Sequence, residues 1–206
     1  MTKKLLLLTI YVILSVVKLN AQVTSTETFE TESNNSTSFT DNGQNFTVSS
    51  VAPSIFSIQG NVSNLGWNGT TFDSKYIDNG GTAPNNSTIS FSISSSGSTP
   101  FKLNSMWLFL SDSSGIVNVT GSLTIIGKLA GVTQYTATAS SGFNTDLYTT
   151  NGYTQISLSS FGGQNNANKT IDQIEINTGG NFFYVALDAF RWTTVPGVTA
   201  TQSQTN

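Results

Sequence analysis

Phe182-Phe183-Tyr184-Val185-Ala186-Leu187-Asp188-Ala189-Phe190-Arg191-Trp192 decides the reading of this chain. It is the longest β-prone apolar run outside the N-terminus. With period two, Phe183, Val185, Leu187 and Ala189 share one face, and Tyr184, Ala186, Asp188, Phe190 and Trp192 the other. Two largely apolar faces predict a central strand covered on both sides. Asp188 interrupts that pattern. A buried carboxylate needs a partner, a hydrogen bond or a metal, because an isolated one is costly to desolvate.

On either side of this run, many short β-prone stretches are separated by Gly, Asn and Ser clusters. Ile89, Phe91 and Ile93 alternate with Ser90, Ser92 and Ser94, as in a strand with one buried face. Phe101 to Leu110 is apolar on both faces and reads as a second central strand. Asp41-Asn42-Gly43 between Ser38-Phe39-Thr40 and Phe46-Thr47-Val48 is a hairpin signal. Val132 to Ala139 pairs with the strand ending at Leu129 across a Gly-bearing turn. Residues 61–76 read as one long polar connection holding Leu65, Trp67 and Phe72. No stretch has helical periodicity. Ten to twelve short strands predict an all-β fold, a single β-sandwich of the jelly-roll type.

The first residues predict a cleaved signal peptide over 1–21. Lys3 and Lys4 precede a thirteen-residue apolar run, Leu5 to Val17, and Ala21 offers a small residue for cleavage. Thirteen residues is short of the roughly 20 that span a bilayer, so no membrane span is expected in the mature chain. The domain is expected over 22–195, with a flexible tail or linker over 196–206. Cleavage removes three of the eight basic residues and none of the eleven acidic ones, leaving −6 on the remainder. Such a surface is a poor match for nucleic acid. Export places the protein in the periplasm, at the cell surface or outside the cell.

Composition limits the chemistry. The chain has no His and no Cys, which excludes disulfides, thiol and histidine catalysis, and His- or Cys-ligated zinc. Charged residues make up only 9%, with Ser, Thr, Asn and Gly in their place. Two placed carboxylates suffice for glycoside hydrolysis, so that class stays open as a third alternative.

Thr28-Phe29-Glu30 near the start and Leu187-Asp188-Ala189-Phe190 near the end resemble the two ends of galactose-binding-like jelly-roll carbohydrate modules. The signal ending Asn20-Ala21-Gln22 is similar to those of exported Bacteroidetes proteins, which carry such modules. The resemblance implies a structural calcium held by Glu30 and Asp188, and a non-catalytic, glycan-binding role. Trp107 and Trp192 sit among apolar neighbours and read as core. Trp67, in Gly66-Trp67-Asn68-Gly69, is the ring placed to stack on a sugar, with Tyr76, Asp78 and Asn79 completing the site. Tyr148 and Tyr153 are weaker candidates in a second loop. A glycan or cell-surface polymer is the expected partner. The competing reading is a structural, adhesin-type sandwich without a small ligand.

Overall fold

In the computed structural model, residues 21–60, 62–80 and 88–196 are described, and Thr24–Val195 form one compact unit. The expected signal peptide and tail fall almost wholly outside the described residues.

The strands are β1 (Thr24–Glu27), β2 (Ser38–Asp41), β3 (Gln44–Ser50), β4 (Ser57–Gln59), β5 (Gly66–Trp67), β6 (Phe72–Asp73) and β7 (Tyr76–Asp78). They continue with β8 (Ser90–Ser95), β9 (Phe101–Ser111), β10 (Gly121–Leu129), β11 (Val132–Ala139), β12 (Tyr153–Ser157), β13 (Gln173–Gly180) and β14 (Tyr184–Thr194). Two six-stranded antiparallel sheets face each other. The first runs β12-β9-β14-β7-β4, with β1 also on β14; the second runs β11-β10-β13-β8-β3-β2. From β7 to β14 the chain changes sheet at nearly every step, which makes the fold a jelly-roll β-sandwich. The expected polar connection holds a third, two-stranded element, the β5–β6 hairpin.

Both sheets turn alternate side chains inward, and the layer between them is dominated by Phe, Ile and Leu. Ile89, Phe91 and Ile93 are buried there, as their alternation predicts. Phe46 is the hub of the aromatic end. It stacks on Phe39 at 5.0 Å and meets Phe101, Phe190 and Trp192 edge-on at 5.1–5.6 Å. Asp41-Asn42-Gly43 makes the β2–β3 turn, with Asn42 and Gly43 both at positive φ, the conformation that Asn-Gly adopts at little cost.

β14 is central, between β9 on one side and β7 and β1, end to end, on the other. Its strict alternation does not hold. β7 pairs with Ala186 and Leu187 and β1 with Phe190 to Thr193, so residues 188–189 face a gap between them. A bulge fills that stretch: Ala189 has φ 46°, and the register against β9 shifts between Asp188 and Arg191. The shift turns Phe190 and Trp192 to the core beside Val185 and Leu187. Arg191 takes the outward position. Phe190 and Trp192 therefore do not share a face with Asp188, contrary to the period-two reading.

Candidate functional site

The outer face of the first sheet positions the site. Where a solvated sheet face usually carries polar residues, this one carries rings: Tyr76 on β7, Trp107 and Phe109 on β9, Tyr153 on β12 and Tyr184 on β14. Two segments cover it. One is the 62–75 connection with its β5–β6 hairpin; the other is the 142–152 loop. The Asn151 side-chain amide donates to the Asn64 carbonyl at 3.0 Å, joining the two covers. Gly152 lets the second loop approach, since a Cβ there would stand 2.7 Å from the Phe109 ring.

Beneath the covers lies a cavity of about 160 Å³ lined by Tyr76, Phe109, Tyr153, Tyr184, Leu65 and Leu147. Beside it runs an open groove of about 520 Å³, which Tyr76 and Tyr184 share with Gln59, Asp78, Gly80 and Ser113. The Tyr184 hydroxyl donates to Asp78 Oδ2, and the Tyr76 hydroxyl pairs with that of Tyr184. Burial holds the Asp78 carboxyl above the usual carboxylate range, although the Tyr184 hydroxyl and the Gly80 N–H oppose that shift. Burial likewise raises both tyrosines, so they stay neutral donors and acceptors.

Asp188 lies where β14 faces the gap between β7 and β1 and is fully buried. Its Oδ2 accepts the Trp67 N–H at 2.8 Å and its Oδ1 accepts the Ala189 N–H at 2.7 Å. Its carboxylate partner is Asp73 of β6. Gly66 is what permits this: a Cβ there would fall 2.1 Å from Asp73 Oδ1 and 2.9 Å from Asp188 Oδ2. Among the described residues the Asp73 carboxyl takes no donor from another residue beyond its own backbone N–H, and it bonds to Asp188 only when one of the pair carries a proton. Burial, followed by the Asp73 charge, lifts Asp188 well above the usual range; burial lifts Asp73 to about 6.

Glu30 does not meet Asp188. Its Oε1 accepts the N–H groups of Ser74 and Lys75 at 2.8 and 2.6 Å, just past β6. The two expected metal ligands thus hold one hairpin through separate bonds, and the carboxylate facing Asp188 is Asp73. That pair suits a hard cation in charge and donor type. Two buried carboxylates lie together, and the two Asp73 oxygens take no donor from another residue. Among the described residues no group of three or more acidic side chains is placed to hold a metal. Backbone carbonyls or water would have to complete the shell.

The other expected residues separate. Tyr76 and Asp78 line the groove. Trp67 is half-buried in the cover, its ring edge-on to Trp107 at 5.8 Å and Phe72 at 5.6 Å, so it packs the hairpin down instead of projecting outward. Asn79 is fully buried: its amide donates to the Phe183 carbonyl at 3.0 Å and its oxygen accepts the Val185 N–H. That side chain pins β7 to β14 and is spent on the fold. Trp192 is core as expected, whereas Trp107 belongs to the outer aromatic face. Tyr148 is 92% exposed and Tyr153 is buried in the cavity wall. Sequence reasoning missed Asp73, Phe109 and Tyr184. The signal for Tyr184 was available, since it shares an outward face with Asp188.

Among the described residues no helix is long and apolar enough to cross a membrane. Neither a protein-family model nor a curated protein matches this sequence. Solved structures do. A DUF4465 family protein from Bacteroides caccae ATCC 43185 superposes with a TM-score of 0.51 at 14% identity, over 84% of this chain and all of that one. The K1 cleaved adhesin domain of Lys-gingipain from Porphyromonas gingivalis W83 gives 0.44 at 11%, over 85% and 99% of the two chains. TmCBM61, solved with β-1,4-galactotriose, gives 0.34 at 11%, over 73% and 88%. At these identities the likeness is one of fold, and the chain shares its β-sandwich with the Bacteroides protein.

Proposed function

We propose that the protein is an exported, non-catalytic binding module whose ligand is a glycan held on the outer face of the first sheet. The observation that carries this reading is the aromatic face under two covering loops, opening into a groove whose floor is the Tyr76–Tyr184–Asp78 hydrogen-bonded run. Rings offer flat apolar surface to the C–H face of a pyranose, and the hydroxyl–carboxyl run and Gln59 offer partners to its hydroxyls. Asp73 and Asp188 touch each other under the hairpin instead of facing across a cleft with room for a sugar and a water, which supports binding over hydrolysis.

Calcium is part of the proposal, as a structural ion. Asp73 and Asp188 would hold it, with Glu30 remaining on the Ser74 and Lys75 backbone. When bound, the ion would neutralise the pair and fasten the hairpin that covers the aromatic face.

A screen of neutral oligosaccharides, with calcium and with chelator, tests the function. The expected result is a ligand whose affinity falls at least tenfold in Tyr184→Phe, which keeps the ring and removes the hydroxyl. A tenfold loss corresponds to about 1.4 kcal/mol. Absence of any neutral glycan ligand, or a Tyr184→Phe variant that binds like the parent, would refute the assignment.

A further inference from the structure

Arg191 is the only arginine in the sequence, and the β14 bulge turns it outward. It is exposed, and among the described residues no carboxylate lies within ion-pair distance; the single ion pair there is Lys128–Glu175. It lines a groove of about 340 Å³ at the turn of the β5–β6 hairpin, which shares no lining residue with the aromatic cavity. Thr26, Asn68, Thr70, Trp107 and Gln155 share that lining, and no acidic residue does.

We infer that this groove is a second binding site, specific for a saccharide that carries a carboxylate, such as a uronic acid. A guanidinium is a planar fork whose paired N–H donors match a carboxylate's two oxygens. The remaining side chains are neutral hydroxyls and amides beside one indole, suited to sugar hydroxyls and to the apolar side of a pyranose. An acidic peptide fits less well. Acidic peptide motifs are read by clusters of arginines or by strand addition at a sheet edge, whereas this groove has a single arginine and lies on a sheet face where Thr26 and Ser105 flank Arg191 through paired strands. The site shares Trp107 with the aromatic face but uses none of Tyr76, Asp78 or Tyr184, and Arg191 lines only this groove, so substitutions at Arg191 and Tyr184 separate the two sites.

The test is titration calorimetry with trigalacturonic acid in calcium-free buffer, beside the uncharged trigalactoside. The parent is expected to bind the acidic trisaccharide and to lose affinity as salt is raised. Arg191→Gln should weaken it at least tenfold; Arg191→Lys, which keeps the charge and loses the fork, should fall between. Tyr148→Ala, at an exposed ring outside this groove, should leave this affinity unchanged. Failure of trigalacturonic acid to bind, or equal affinity in Arg191→Gln, overturns the proposal. Poly-glutamate binding as tightly as the trisaccharide overturns its sugar specificity.

Discussion

Glu27 offers the most direct test of the packing argument. On β1 it lies opposite Phe190, facing the layer between the sheets, and is 8% exposed. Burial raises its carboxyl to about 7; the charges of Asp41 and Glu32 add to that, and the Phe29 N–H bonded to Oε1 opposes it. The folded protein therefore keeps a proton that the unfolded chain releases near its ordinary value of 4.5. Between those two values the unfolded state binds fewer protons, so stability falls as pH rises. It is fully present below about 4.5 and lost by about 7, and the shift is worth about 3 kcal/mol at most. In Glu27→Gln the amide oxygen still accepts the Phe29 N–H but has no proton to lose. Urea melts of both proteins at intervals from pH 4.5 to 7.5 measure the difference. The variant should lose about 2–3 kcal/mol less than the parent over that range and be the more stable protein at pH 7.5. Asp73 and Asp188 tilt both curves in the same direction, so the parent–variant difference isolates Glu27. Parallel curves would mean that Glu27 is solvated and that β1 does not seal the sandwich there.

Further outcomes follow from the same geometry. Phe190→Ala should cost about 3–5 kcal/mol in denaturant melts, since the ring is fully buried against Phe39, Phe46 and Phe101; a loss under about 1 kcal/mol would place it outside the core. At pH 7.5, calcium at a hundredfold excess over Kd should stabilise by about 2.7 kcal/mol, a rise of roughly 5–10 °C in Tm. Asp73→Asn and Asp188→Asn should each abolish that rise; identical melts with calcium and with chelator would refute the ion. Gly66→Ala should destabilise by about 2 kcal/mol because its Cβ would displace the Asp73 carboxyl, and a neutral result would show that the pair has room to spare.

Local patterns that reach the core were legible in the sequence. Alternation at Ile89-Phe91-Ile93 and the Asp-Asn-Gly turn each describe contacts between near neighbours, and both appear as expected. The bulge at Ala189 was not legible, because neither a glycine nor a proline marks it. Its cause is a gap left by two separate strands, β7 and β1, that meet β14 end to end. Asp188 announced itself as an acid in an apolar strand, but its partner lies in an unremarkable Thr-Phe-Asp-Ser segment. Nothing local distinguishes Asp73 from a solvated loop acid. Asn79 misled for the opposite reason: beside Trp67, Tyr76 and Asp78 it reads as a ligand-facing amide, and only the β14 backbone beside it explains its burial.

The β5–β6 hairpin has two residues in each strand, too few to persist by itself in water. None of its residues belongs to the large core between the sheets; Trp67 packs on the outer aromatic cluster and on Phe72 of the hairpin itself. The molecule therefore divides into a frame that carries its global stability and a cover that can open at much lower cost. That division makes the 62–75 segment an exchangeable cassette. A different hairpin of similar span that keeps Asp73 and Gly66 would dock at the same gap beside β14, and the sandwich could present a new rim to a new ligand without refolding its core.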